Sequence, residues 1–483
     1  MPRSRSEAPH RQPRQKTILR RTLNYSQKDA VASATMTASS DNFINAFAIH
    51  LHASAAQMGV LTALPQFFGA LMQILSIWLG QVVPRRKLVY NVAIVQCCVV
   101  GLLALLALPI VALDADASKV PWLIGLVVLY HSCLNLIQPQ WRAWMGDIVP
   151  RRRRGAFFAA RTRLSMVASL AVFLGGGALL TGFEKLGAIG IGFAVLFAIA
   201  STGRAASSYF LWRMHDPSDR KYLRHKPGAT VPIVRFGSLR DYLSDRTFLH
   251  YTLFIAGMQG VVAISAPFFA VYMLKTLELS YLQFALNSVA SVATQFALLG
   301  FWGRFSDRHG NRLVMLITSC LLPLLPVLWL FSPEYSYLLL VQVISGFAWS
   351  GFTLSTANFL YDIRPHKTNF AAYAAIQQAL GATAVFCGAL LGGLCVTYAD
   401  TLIAMMPDAL QLEHGVFLVF LISGFLRACI ALWFIPRCKE PRIRKRPEML
   451  QIVFRVARFN PISGVVLDWL TVTRKRKLDE EKE

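Results

Sequence analysis

Charge is what this sequence has least of. Only 15% of its 483 residues are Asp, Glu, Lys or Arg, while 55% are hydrophobic. Soluble domains carry nearer a quarter charged residues, so a soluble enzyme and a disordered protein are both excluded. Acids are scarcer still, 25 Asp and Glu against 49 Lys and Arg, for a net charge of +24. In a soluble protein that excess would point to nucleic acid. Here the basic residues sit between hydrophobic runs and at the two ends, where they set membrane topology, so no nucleic-acid partner is expected. Cysteines number 8. Cys97, Cys98, Cys133, Cys320, Cys387, Cys395 and Cys429 fall inside apolar runs and Cys438 in a basic tail, which excludes a disulfide framework and a metal cluster. Nucleotide-binding loops and nucleophile triads are missing as well. Neither ATP-driven pumping nor an enzyme activity is expected, and no cofactor is called for.

What is present is a series of long apolar runs. A bilayer core about 30 Å thick needs roughly 20 such residues per helix, and twelve spans can be placed, at 30–51, 56–80, 88–112, 119–145, 156–181, 186–212, 247–273, 280–303, 312–332, 335–362, 368–398 and 414–436. The expected organisation is a cytosolic basic tail (1–28), a six-helix bundle (29–212), a cytoplasmic linker (213–246), a second six-helix bundle (247–436) and a cytosolic tail (437–483). Residues 1–28 have no apolar core of a signal peptide. Within the last tail Met449, Ile452, Val453 and Val456 repeat at helical spacing beside Arg455 and Arg458, the pattern of an amphipathic helix on an anionic leaflet. Basic residues concentrate on one side, at Arg85-Arg86-Lys87, Arg151 to Arg154, the linker and Arg304, Arg308 and Arg312, whereas the other side holds only Lys119, Lys185 and Lys275. The positive-inside rule therefore places both termini in the cytoplasm.

The halves repeat one another. Asp147-Ile148-Val149-Pro150 ends the fourth span and Asp362-Ile363-Arg364-Pro365 the tenth. Gly203-Arg204-Ala205 parallels Leu426-Arg427-Ala428, and Phe47-Ala48-Ile49 parallels Phe269-Ala270-Val271, all at offsets of roughly 215 to 223 residues. Repeats of this kind are the mark of secondary transporters, whose substrate binds near the midplane between the halves.

Gly303-Arg304-Phe305-Ser306-Asp307-Arg308-His309-Gly310-Asn311-Arg312 matches the G-x-x-x-D-R-x-G-x-R loop of the major facilitator superfamily, which the chain resembles over nearly its whole length. The resemblance implies an all-α polytopic membrane protein of twelve transmembrane helices in two pseudo-symmetric six-helix bundles. It also implies a cytoplasmic gate at Gly303, Asp307, Arg308 and Gly310. The first-half counterpart, Gly80-Gln81-Val82-Val83-Pro84-Arg85-Arg86-Lys87, lacks the acid and the second glycine. The family fold sets span 8 against span 5, so Arg161 or Arg163 is expected to pair with Asp307 as a single latch. The alternative is that these arginines anchor span 5 at the headgroups.

Inside the spans, Asp41 stands about 20 Å along a helix from Lys28, near the midplane, where a carboxylate costs roughly 2.5–3.5 kcal/mol. Ala34, Ala38, Asp41, Asn45, Ala48 and His52 share one helical face, which is expected to meet a central cavity. Asp41 reads either as a proton-coupling or cation-binding acid or as a hydrogen-bonded packing group. His131, Asn135, Gln138 and Arg142 form a second stripe in span 4, with His131 a candidate second proton carrier. Gln259, Gln342 and Trp349 are the candidates for an opposing wall, Trp349 either as a ring or cation platform or as packing. Gln377 and Gln378 in span 11 are weaker candidates of the same kind, and Gln66 and Gln73, seven apart in span 2, are read as satisfying neighbouring backbone. Arg204 and Arg427, about 13–15 Å into their helices, are read as caps of cytoplasmic loops or as recognition of an anionic substrate. The function expected is secondary active transport of a small organic solute by alternating access, coupled to protons as symport or as efflux antiport of amphipathic compounds. A non-transporting sensor is the alternative of another class. The expected setting is a bacterial inner membrane, with a small-molecule substrate, protons and lipids as partners of a monomer.

Overall fold

A computed structural model describes residues 13–108, 116–149, 154–216, 245–363, 370–404, 414–434 and 437. The described residues form helices and contain no strand. Hydrocarbon leaves few other choices, since every backbone N–H and C=O must be satisfied within its own segment. In chain order the long helices are α1 (Pro13–His50), α2 (Ala55–Val82), α3 (Arg85–Leu106), α4 (Val120–Ile148), α5 (Arg154–Lys185), α6 (Ile189–Arg213), α7 (Arg246–Val271), α8 (Tyr281–His309), α9 (Asn311–Leu321), α10 (Tyr335–Ile363), α11 (Phe370–Thr397) and α12 (Gly415–Phe434). A short helix, Leu324–Leu328, continues α9 beyond Pro323. The expected C-tail helix around Met449, the linker from 217 to 244 and Arg151 to Arg153 lie outside the described residues.

Eleven of the described segments are long and apolar enough to cross a membrane. The exception among the twelve long helices is α1, whose mean hydropathy is pulled down by Ser33, Thr35, Thr37, Ser39, Ser40, Asp41, Asn42 and Asn45. Those hydroxyls do not go unsatisfied. Thr35 donates to the Val31 carbonyl at 3.0 Å, Ser39 to Thr35 at 2.6 Å and Ser40 to Met36 at 2.7 Å, so the polar groups bond back into their own helix. The helix also begins earlier than its apolar run, at Pro13 where the hydrophobic pattern starts at 30. The stretch assigned above to the basic tail is therefore helical from residue 13 onward.

The described contacts divide the chain into two units. In the first, α1 packs on α5 and α6, α2 on α4, and α3 on α4 and α6. A Cβ at Gly203 of α6 would lie 3.1 Å from the Ala32 carbonyl oxygen, so the α1–α6 contact is a close backbone approach that glycine favours. Beyond it the α1–α6 interface is aromatic, with Phe47 5.0 Å from Phe193 and 5.3 Å from Phe197, and Phe43 meets Phe173 of α5 at 5.1 Å. Segments 266–286 and 385–405 belong to this unit as well. Gly177 abuts Tyr281 and Ala285, Thr181 Oγ1 accepts from the Leu282 N–H at 3.0 Å, and Gly59 and Gly393 meet backbone to backbone.

The second unit is built on Phe248, Tyr251, Phe254, Met258, Met315, Ala348, Phe352 and Phe359, contributed by α7, α9 and α10. Here α9 packs on α10 and on α12. Gly310, between α8 and α9, has φ +93 and ψ 155. That conformation is essentially restricted to glycine and turns the chain in a single residue.

Candidate functional site

The first unit carries its charge inside. Asp41, in the last third of α1, is partly buried, and its Oδ1 is shielded from solvent with no hydrogen-bond partner. Tyr130 of α4 is fully buried with its hydroxyl beside that carboxylate, 3.1 Å from Ser40 Oγ. Ser40 Oγ is the donor in that contact, so the Tyr130 proton is left for the acid. His131, the next residue on α4, is partly buried, stands edge-on to the Tyr130 ring at 5.1 Å and interacts electrostatically with Asp41. The two proton-coupling candidates thus come together across α1 and α4, with Tyr130 as a third member. Sequence spacing offered no signal for Tyr130, because an apolar run containing one tyrosine reads as packing.

A second network lies one helical stretch nearer the basic end. Asp29 of α1 is 3% exposed. Its Oδ2 accepts from Arg161 Nη2 at 3.0 Å, and its Oδ1 accepts from Ser207 Oγ at 2.7 Å. Ser207 in turn accepts from Arg204 Nη1 at 3.1 Å. Arg161 also donates through Nε to the Ser26 carbonyl at 3.3 Å, and its guanidinium lies 4.2 Å from the Trp141 ring centre. Arg204, 3% exposed, leaves Nε and Nη2 without partners. Asp41 is therefore not the sole acid inside a span. Asp29 escaped notice because it sits beside Lys28, where a composition count ends the tail. In this conformation Arg161 is committed to Asp29, and Arg163 is exposed.

The rest of the α4 stripe divides. Asn135 accepts from Gln73 Nε2 of α2 at 2.8 Å, donates to the His131 carbonyl at 2.9 Å and covers Gly69. Gln140, outside the stripe, donates to the Ser76 carbonyl at 2.6 Å and covers Gly80, while Ser76 Oγ donates to the Leu136 carbonyl at 2.6 Å. These amides fasten α4 to α2, over glycines that leave room for them. Arg142 donates to Gln138 at 3.2 Å as an exposed pair. Asn45 is partly buried.

In the second unit the polar candidates are scattered. Gln259 is exposed and its Oε1 lies against Gly381. Gln342 is partly buried, and Trp349 packs on the aromatic core, edge-on to Phe352 at 5.7 Å. Arg427 of α12 is 2% exposed. It donates to the Leu322 carbonyl at 3.1 Å and to Ser265 Oγ at 2.9 Å, and Ser265 lies 3.1 Å from Ser423 Oγ. In the signature loop Gly303 and Gly310 frame the end of α8, Asp307 and Arg308 are exposed, and Ser306 Oγ donates to Asn311 Oδ1. The first-half loop has Arg85 instead, in a bidentate pair with Asp216 at 2.8 Å on both oxygens. No group of His, Cys, Asp or Glu among the described residues could hold a metal ion.

The family description of the Major Facilitator Superfamily matches residues 30–271 and again 258–476. The chain belongs to that superfamily. Solved structures with the same fold include a D-xylose-proton symporter (TM-score 0.62, 13% identity, 89% of this chain and 99% of that one). An auto-inhibited peptide transporter of the POT family aligns at TM-score 0.63 and 13% identity, over 90% of this chain and 99% of that one. The nucleoside transporter NupG aligns at 0.57 and 13%, over 86% and 99%. No curated protein sequence matches significantly. The superfamily member described here is an integral, multi-pass membrane transporter and not an enzyme, and the signature loop and the internal repeat take their meaning from that membership.

Proposed function

We propose that this chain is a proton-coupled secondary transporter of a small polar organic solute, with Asp41 as the coupling acid and His131 and Tyr130 as the groups that share its proton. The observation that carries the reading is the Asp41 carboxylate. It sits within α1 with one oxygen buried and unpaired, where a permanently ionised group is expensive and a group that takes and releases a proton is not. The polar lining beside it comes from Asn45 and His131. The second-half candidates Gln342 and Trp349 carry no charge, so the charged groups of this reading all belong to the first half. The clustering of basic residues in alternate loops supports a cytoplasmic position for the loops that carry them, and a bacterial inner membrane is the setting that suits the layout.

Coupling is separable from binding in proteoliposomes. Asp41→Asn is expected to abolish accumulation driven by an imposed pH gradient while solute exchange at equal pH persists. Full gradient-driven accumulation by Asp41→Asn removes Asp41 from the mechanism. The solute used in that assay comes from a thermal-shift screen of sugars, nucleosides, amino acids, peptides and organic acids. A bound solute at 100 times its Kd adds about 2.7 kcal/mol of stability.

A further inference from the structure

Two acids on α1 stand on either side of one arginine. Asp29 and Asp41 are twelve residues apart, about 18 Å along the helix. Between them α6 presses on the α1 backbone, where a Cβ at Gly203 would lie 3.1 Å from the Ala32 carbonyl oxygen and 3.3 Å from both the Met36 nitrogen and Thr35 Cβ. Arg204, the next residue, enters at that level and is buried. Its Nη1 donates to Ser207 Oγ at 3.1 Å, and Ser207 donates on to Asp29 at 2.7 Å. Its Nε and Nη2 are buried without partners.

On the side of Asp41 stands Tyr130. It shares an apolar cluster with Met36 of α1 and with Ala200, one turn before Arg204 on α6. Its hydroxyl interacts electrostatically with Arg204 as well as with Asp41. The two acids are held differently. Asp29 is bound by Arg161 directly and by Arg204 through Ser207. Asp41 is faced by Tyr130 and His131 of α4. Of the other elements packed on α1, α5 brings Arg161, at Asp29, and the turn Tyr272–Thr276 carries Tyr272 and Lys275. A cation beside a phenol polarises its O–H bond, and a more polarised donor favours the ionised form of the carboxyl it holds.

We propose that Arg204 is a positioning residue for the Asp41 proton: its charge, acting through the Tyr130 hydroxyl, helps Asp41 to ionise, and the Ser207–Asp29 bridge sets how much of that charge Tyr130 receives. Undivided, the charge would hold Asp41 ionised, and fully cancelled it would leave the acid protonated. Shared between two acids, it lets Asp41 do both. The consequence for transport rests on Asp41 being the coupling acid, whereas the effect on its proton stands without that reading.

The test reads that proton directly. The infrared band of the protonated carboxyl, assigned by its loss in Asp41→Asn, is titrated on the purified full-length protein in lipid. Arg204→Met should move its midpoint to higher pH by about one unit, the effect of one charge at roughly 10 Å with an effective dielectric of about 20. Arg204→Lys keeps the charge and should stay close to the parent. Ser207→Ala, which frees Nη1 from the bridge, should move the midpoint to lower pH, and as the mildest change it carries the test alone if Arg204→Met does not fold. In a Tyr130→Phe background the Arg204→Met shift should shrink. A midpoint unmoved by Arg204→Met and Ser207→Ala overturns the proposal, and so does a shift of both in one direction, which a general loosening of the helices would give. Arg204→Lys behaving as Arg204→Met, a shift undiminished by Tyr130→Phe, or the absence of any Asp41-dependent band overturns it as well. If the midpoints move as expected while Asp41→Asn keeps full gradient-driven accumulation, Arg204 retains this role and the coupling reading alone fails.

Discussion

Arg204 of α6 and Arg427 of α12 occupy matching places in the repeat and are buried to the same degree, at 3% and 2% exposure, but they are held by different chemistry. Arg204 reaches a carboxylate, Asp29, through Ser207, and Asp29 is shared with Arg161. At the position corresponding to Asp29 the second half has Tyr251, a buried neutral side chain whose hydroxyl donates to the Thr356 carbonyl. Arg427 accordingly has neutral partners, the Ser265 hydroxyl and the Leu322 carbonyl. That carbonyl is special. In an unbroken helix it would accept from residue 326, which is a proline and has no N–H. Arg427 supplies the missing donor at the break between α9 and its continuation. The corresponding helix of the first half, α3, has no proline and no break. One inherited arginine has thus become part of a charge network in one half and a backbone donor in the other.

The comparison can be broken by substitution. Asp29→Asn leaves the buried Arg204 and the half-buried Arg161 without their acid, and it should cost the most, about 3–5 kcal/mol, read as a large fall in the melting temperature of the purified protein. Adding Arg161→Met to that variant should recover part of the loss, and the absence of any recovery would mean that the two do not act as a pair. Arg427→Met removes hydrogen bonds but no counter-charge and strands the Leu322 carbonyl, for about 1–3 kcal/mol. If it proves as costly as Asp29→Asn, Arg427 has an ionic partner and the contrast between the halves is lost. Gly310→Ala should cost about 1–3 kcal/mol from backbone strain alone, with little change on the first-half side, where no glycine holds such a conformation in the equivalent loop. Ser207→Ala tests the bridge itself and should cost the least, about 1 kcal/mol. A null result there would place Arg204 and Asp29 in direct electrostatic contact, independent of the hydroxyl.

Spans were legible in the sequence because a run of apolar residues has few other uses, and the duplication was legible because short motifs recur at one spacing. The signature loop was legible residue by residue, and Gly310 shows why: its position demands a conformation that side chains resist. The interior was less so. The α4 stripe reads as one polar face, yet Asn135 and the unremarked Gln140 serve the α2 contact, since periodicity says which residues share a face and nothing about what the face meets. Glycines at 69 and 80, spaced to receive those amides, were the available signal. Trp349 shows the same limit, because packing and recognition leave identical marks in sequence. Asp29 was missed because charge counting treats a span as beginning where hydropathy rises, whereas α1 begins at Pro13 and carries its acid inward on a helix that is polar but internally bonded.

The polarity of α1 has a consequence for how the protein is made. A helix rich in serine and threonine, with Asp29 and Asp41 along it, gains little by partitioning into lipid alone. Its hydroxyls are tied to its own carbonyls, but its two acids find their partners, Arg161, Ser207 and Tyr130, on α4, α5 and α6. This helix precedes its partners in the chain and is therefore among the last of its half to reach a settled place. It depends on three helices translated after it, and a chain truncated before α6 should hold α1 loosely at the membrane, exposed to proteolysis.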